Sequence, residues 1–329
     1  DPPLDFYGMI ILDKYLRQPT AADEMEWTYI MNQCRKPTLA DRPWIQKLYE
    51  ASGYRGAEYT FANLYLWSSY YGEVAEVEGY LCQRLVYRGV HQYLYPAGSG
   101  DIRPVLERII ADSRREGKPL VIRSLTHETM EQLESLYPGR FTFTPDRDAY
   151  DYLYEIDALA DLKGKKLQAK RNHINRFVEA YPDWYTRVIT VHNLHVCEKL
   201  AERWYESHHE SAADRRALTK AFEHFEALEF EGIILYAKEG YPVGFSMGNR
   251  ISADTFDVNF EKAFADVQGA YPLVNREFAR YIREQHPDIR YLNREDDMGI
   301  EGLRKAKESY HPIFLEKFIA TEKEEAAPC

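Results

Sequence analysis

EGIILYAKEGYPVGFSMGNRI (residues 231–251) reads as two apolar strands turned by Glu239-Gly240, and the fold follows from it. Working outward, DTFDVNF (254–260) is a further strand. AYPLVNREFARYIREQ (270–285) has helical apolar spacing, with Pro272 in the first turn where a missing N–H costs least. IRYLNRE (289–295) is a strand, EGLRKAKESYH (301–311) a helix and PIFLEKFIA (312–320) a last strand. Upstream, LKGKKLQAKRNHINRFVEAYPDW (162–184) is predicted as a helix and TRVITV (186–191) as a strand, followed by helices at about 194–208 and 214–228.

The first half repeats that order. EVAEVEGYL (73–81), QRLVYRG (83–89) and HQYLYPAG (91–98) form a meander. DIRPVLERIIADSRREG is a helix between Asp101 and Gly117. PLVIRSL, HETMEQLESLYPG and FTFTPDRDAYDYLYEID then read strand, helix, strand. The boundary falls near Asp146–Asp151. The expected division is an extension over 1–34, a first unit over 35–148, a second over 149–320 and a disordered tail over 321–329. The aromatic run Tyr59–Tyr71 is expected in the core.

The chain of 329 residues has a net charge of −11, which argues against wrapping nucleic acid or anionic membrane with its whole surface. No run of eighteen apolar residues occurs, so no transmembrane helix is expected. DPPLDFYGMIILDKYLRQP at the start lacks a basic n-region and a long apolar stretch, so it does not read as a secretory signal. Cys34, Cys82, Cys197 and Cys329 form no C-x-x-C pair, which points to a reducing, cytoplasmic location without a disulfide framework. His192/His195 and His208-His209-Glu210 lack a third ligand at useful spacing, so no metal is expected.

Four motifs bear on chemistry. Gly244-Phe245-Ser246-Met247-Gly248 matches G-x-S-x-G, but no helix follows at once, so it reads as a strand whose small residues allow close approach. Lys163–Arg176 holds six Lys or Arg and no acid; Lys163, Lys166, Lys170 and His173 would share one helix face and meet phosphates. Gln268-Gly269-Ala270 precedes a helix and offers backbone N–H groups to an anion, whereas Asp101 would fill the matching place after Gly98-Ser99-Gly100 in the first half. Glu295, Asp296 and Asp297 cluster past a strand end, and packed carboxylates raise one another's pKa toward that of a general base.

KGKKLQAKRNHINRF, QGAYPLVNREF and YLNREDDMGIEGLRKAKESYHP, in that order, resemble the signature blocks of a bacterial family grouped with the C-terminal domain of phosphatidylglycerol lysyltransferase. The resemblance covers roughly Lys36 to Phe318. It implies an α/β fold of two tandem GNAT-like domains, each a mixed, mostly antiparallel sheet flanked by helices, the first degenerate and the second carrying the site, similar to Fem-type aminoacyltransferases. It also implies an acyl- or aminoacyltransferase that takes acyl-CoA or aminoacyl-tRNA as donor substrate, with no tightly bound cofactor and an amine or hydroxyl acceptor; a lipid acceptor would be reached from solution.

On that reading Glu295 or Asp297 deprotonates the acceptor and Tyr310 protonates the leaving group. A backbone N–H within Val258-Asn259-Phe260 receives the oxyanion. Gln268, Gly269, Ala270 and Tyr271 hold the donor, although the full Q/R-x-x-G-x-G/A pattern is broken because Gly269 directly follows Gln268. Lys305 touches the donor, and Lys163, Lys165, Lys166, Lys170 and Arg171 bind phosphate or tRNA. The alternatives are an acetyl-CoA-dependent N-acetyltransferase of a small amine and an inactive ligand-binding protein of the same fold.

Overall fold

The computed structural model describes residues 34–87, 90–115, 117–207 and 212–323. Most of the expected extension, the end of the expected tail and His208-His209-Glu210 lie outside the described residues.

The first half opens with α1 (Arg42–Ser52), α2 (Phe61–Leu66) and α3 (Ser68–Tyr71), so the aromatic run is helical. Thr60 caps α2 by accepting from Asn63 N, and Phe61 and Leu64 are buried. The meander β1 (Glu73–Val77), β2 (Tyr80–Tyr87) and β3 (Val90–Leu94) leads to α4 (Arg103–Arg115), whose first turn Asp101 caps through Arg103 N at 3.0 Å. Then come β4 (Val121–Leu125), α5 (His127–Leu136) and β5 (Phe141–Pro145).

The second half runs β6 (Asp151–Glu155), α6 (Ile156–Asp161), α7 (Gln168–Ala180), β7 (Tyr185–Val188), α8 (Leu194–Ser207), α9 (Ala212–Glu223), β8 (Glu231–Lys238) and β9 (Tyr241–Gly248). It continues with β10 (Thr255–Asp257), β11 (Phe260–Ala263), α10 (Ala270–Gln285), β12 (Tyr291–Asn293), α11 (Glu301–Glu308), β13 (Ile313–Leu315) and β14 (Phe318–Glu322). β8 is buried along almost its whole length, and α10 lays Leu273, Val274, Phe278 and Ile282 on the same core.

Three expectations are corrected. The strand 254–260 is two strands: β10 pairs in parallel with β12, and β11 pairs antiparallel with β9. The last strand is also two: β13 lies at one edge of the sheet β10-β12-β6-β13, whereas β14 inserts between β4 and β5 of the sheet β1-β2-β3-β4-β14-β5. The second unit, expected over 149–320, therefore gives its final strand to the first. Finally, α7 starts only at Gln168, after a turn in which Leu162 and Gly164 take positive φ, so Lys163, Lys165 and Lys166 lie on no helix face.

The break between β10 and β11 depends on a close approach. A Cβ on Gly248 would stand 1.7 Å from the Asp257 carbonyl oxygen, so the crossing requires glycine. Gly248→Ala is expected to cost about 1–3 kcal/mol of unfolding free energy in urea melts through forced backbone movement, and a loss under about 0.5 kcal/mol would contradict this packing.

Candidate active site at the seam between the halves

The site forms where two paired strands part. Asp257 ends β10 and Asn293 ends β12, and the two are ladder partners. One residue on, Val258 N still donates to Asn293 O at 2.8 Å, but Phe260 already faces Met247 in the other sheet. Asn259 lies in the gap, and its backbone N–H has no carbonyl partner among the described residues.

Side chains from both halves converge there. Asn63, on the buried helix α2, donates from Nδ2 to Ala57 O (2.8 Å), to Asp257 Oδ2 (2.9 Å) and to Glu295 Oε1 (3.1 Å). Asn259 Nδ2 donates to Asn63 Oδ1 and to Asp257 Oδ2, each at 3.0 Å, which fixes the orientation of the Asn63 amide. One amide with two hydrogens thus faces three acceptors. Asp257 is fully buried, and its Oδ1 has no partner among the described residues. Burial pushes its pKa well above the usual carboxylate range, and the charges of Glu295 and Asp151 push the same way.

Glu295 is half-buried and sits at φ 57°, a left-handed conformation uncommon for a side chain of this size. Burial raises its pKa to about 8, against the pull of the Lys307 ammonium. The turn is held from two directions. Asn293 Oδ1 accepts from Glu295 N at 2.7 Å. Lys307, buried on α11, donates from Nζ to the carbonyls of Arg294 (2.6 Å), Asp296 and Glu295 (3.4 Å). Burial lowers the pKa of Lys307, opposed chiefly by Glu295. Asp296 is raised to about 6, again mainly by burial.

A cationic cluster lies on the neighbouring flank. Arg294 donates to Glu261 at 2.9 Å, which also accepts from Asn275 Nδ2 at 3.0 Å. The Arg294 Nη1 atom is buried without a hydrogen-bond partner among the described residues. The guanidinium lies 5.3 Å from the centre of the Tyr310 ring, and Lys170 Nζ lies 4.0 Å from the same centre. Burial lowers the pKa of Lys170, and the Arg294 charge adds to that, while burial holds the Tyr310 hydroxyl firmly protonated.

The expected site residues are distributed unevenly around this centre. Glu295 is in it, Asn259 is in its gap, and Tyr310 and Lys170 flank it. Asp297, expected as the alternative base, is fully buried between Arg304 (2.8 Å) and Arg147 (3.2 Å) and accepts from Tyr152 and from Gly299 N. Burial alone would raise its pKa, but those donors outweigh it and hold the carboxylate well below the usual range, so it is an ion-paired anchor of the loop. Lys305 points into solvent and pairs with Glu301 at 2.6 Å; its neighbour Lys307 is the buried lysine.

Lys163 pairs with Asp161 at 2.9 Å, and Lys165 and Lys166 are exposed. Arg171 donates to Gly164 O at 2.7 Å and to Leu162 O, closing the turn before α7. Gln268 is exposed, Ala270 is buried, and Tyr271 accepts from Trp204 Nε1 at 2.7 Å. A Cβ on Gly269 would stand 2.2 Å from the His173 carbonyl oxygen, so that face of the turn is closed by α7. Ser246 is fully buried in β9, 3.4 Å from Glu261, and no helix follows it, as its strand reading expected. Asn63 and Asp257 carry the centre without a sequence motif to mark them, whereas Arg294 and Lys307 lie inside the block YLNREDDMGIEGLRKAKESYHP without a role expected of either.

A second buried network ties the halves together nearby. Lys317, between β13 and β14, donates to Glu58 at 2.6 Å and to Asp151 at 2.8 Å. Burial lowers its pKa, but those two carboxylates outweigh the effect and raise it. Asp151 also accepts from Ala57 N and Asn293 Nδ2, each at 2.9 Å.

The mixed sheets flanked by helices are the tandem GNAT-like, Fem-type fold expected from the sequence, shared with FemX at 9% identity and a TM-score of 0.50 over 87% of this chain and 96% of that one. The chain belongs to the family described as phosphatidylglycerol lysyltransferase, C-terminal, whose model matches residues 49–321. It is similar to a solved protein of unknown function from Bacteroides thetaiotaomicron, at 39% identity and a TM-score of 0.82 over 88% of this chain and 99% of that one. It shares its fold with the C-terminal domain of a putative lysylphosphatidylglycerol synthetase from Agrobacterium fabrum, at 13% identity and a TM-score of 0.61 over 87% of this chain and 93% of that one. An uncharacterised protein of Mycoplasmoides gallisepticum is 26% identical over 206 residues, which is 60% of this chain and 63% of that protein's length. No described helix is long and apolar enough to cross a membrane.

Proposed function

We propose that this chain is an acyl- or aminoacyltransferase whose reaction centre is the gap at Asn259, just beyond the paired ends of β10 and β12. The observation that carries the reading is Glu295: a half-buried carboxyl on a left-handed turn, aimed at a buried amide and a second carboxyl, with its pKa raised to about 8. Such a group takes a proton from an attacking amine or hydroxyl near neutral pH. The Asn259 N–H, left out of both ladders, donates to the oxyanion as the nucleophile adds to the acyl carbon. Tyr310, kept protonated by burial, returns a proton to the leaving group. Lys170 and the free Nη1 of Arg294 hold the anionic part of the donor. Asp297 takes no part in the proton transfers.

The test is transfer to hydroxylamine by the purified chain, with acetyl-CoA and a mixed aminoacyl-tRNA pool as donors. Turnover with either donor is expected. Lys170→Ala is expected to raise the KM for that donor about tenfold with a smaller change in kcat. No turnover with any donor, under conditions where the fold is intact, would overturn the reading.

A further inference from the structure

A pocket of about 400 Å³ opens on the seam, bounded by α1, the start of α2 and the end of β9. Its apolar wall is Phe61, Ala62 and Leu228. Its polar groups carry three carboxylates (Glu50, Glu229 and Glu231) and two guanidiniums (Arg42 and Arg250).

The cations are already spent. Arg42 pairs with Glu229 and donates to Ala227 O at 3.0 Å. Arg250 takes Asp288 at 2.6 Å and also faces His286 Nδ1 at 3.2 Å. His286 in turn meets Glu231 through Nε2 at 2.7 Å, so both ring nitrogens are occupied.

The acceptors are not all spent. Asn249 is 8% exposed, and its Oδ1 is buried without a partner among the described residues. Glu50 is exposed at the rim; the side-chain hydrogen bond it accepts comes from the neutral amide of Gln46, at 3.1 Å. Among the described residues the pocket holds an unpartnered buried amide oxygen and a carboxylate that has no paired cation, and together they call for a ligand that donates several hydrogen bonds and carries positive charge. The apolar wall suits a short aliphatic stem, and the volume falls in the range of small-molecule sites.

We infer that this pocket binds a small primary alkylammonium compound, with its ammonium between Asn249 Oδ1 and the Glu50 carboxylate and its stem along Phe61, Ala62 and Leu228. The pocket adjoins the reaction centre: Asn249 O accepts from Asp257 N at 2.8 Å, and Ala62 precedes Asn63. The bound amine is therefore the acceptor: on leaving Glu50 its ammonium releases one proton to solvent, and the free amine gives a second to Glu295 as its nitrogen adds to the acyl carbon. That second step rests on the transferase reading, whereas binding does not.

Saturation-transfer NMR with butylammonium, 1-butanol and butyrate tests the binding. Butylammonium is expected to saturate, with the alcohol and the carboxylate at least about tenfold weaker. Glu50→Gln is expected to weaken it about three- to tenfold, and Glu50→Lys, which brings its own ammonium, to abolish it; Glu50 is exposed, so both variants fold. Equal binding of 1-butanol or butyrate, no saturation, or an affinity unchanged in both variants would overturn the site. Binding without acylation of butylamine, in a protein that does acylate hydroxylamine, removes only the acceptor assignment. Binding in a protein with no transfer activity removes the transferase reading and leaves the site.

Discussion

Glu295→Gln is expected to lower transfer about 10²–10⁴-fold, the usual contribution of a positioned general base, while leaving the fold intact. The amide keeps the oxygen that accepts from Asn63 and loses only the ability to take a proton. In the unchanged protein the rate is expected to rise with pH and level off above about 8, where Glu295 is ionised. Stability moves the other way. Between the ordinary glutamate pKa and about 8, the folded chain holds a proton that the unfolded chain has released. Stability therefore falls as pH rises through that window, by at most about 1.4 kcal/mol per pH unit for one group. Asp257, also raised, adds a contribution of the same sign. Glu295→Gln is expected to shrink this slope in urea melts at a series of pH values. A variant that keeps its rate, or a parent whose rate is flat from acid to alkaline pH, would remove Glu295 as the base.

Lys317→Met is expected to cost about 3–5 kcal/mol, because it leaves Glu58 and Asp151 buried without their cation. Lys317 is 5% exposed, so water cannot replace its ammonium. Adding Glu58→Gln and Asp151→Asn to Lys317→Met is expected to recover a large part of the loss, since no uncompensated charge then remains. Denaturant melts of the single and triple variants measure both. A single-variant loss below about 1 kcal/mol would show that the trio is hydrated and that the seam is held by other contacts.

Most elements were legible as strands or helices because their apolar spacing is regular. β8 and β9 follow from the run around Glu239-Gly240, and α10 from its Pro272 start. The two strand breaks were not legible. DTFDVNF and PIFLEKFIA are continuous β-type runs, and what divides each is the neighbour it pairs with: Gly248 lets the Asp257 carbonyl approach, and Lys317 needs Glu58 and Asp151. Glu295 was visible as one of three adjacent acids, but which of the three is held as an anion depends on Arg304 and Arg147, which local spacing does not place. Asn63 was hidden inside an aromatic run, and its partners are some two hundred residues away in sequence. Lys305 and Lys307 look alike in sequence, yet only Lys307 turns inward to the loop carbonyls.

The insertion of β14 between β4 and β5 has a consequence for synthesis. β5 has β14 as its ladder neighbour, and β14 is made last among the described strands. A nascent chain halted before Phe318 therefore carries β5 with its hydrogen-bonding edge unfilled, so the sheet begun by β1 must wait until the segment Phe318–Glu322 has been made before it can close.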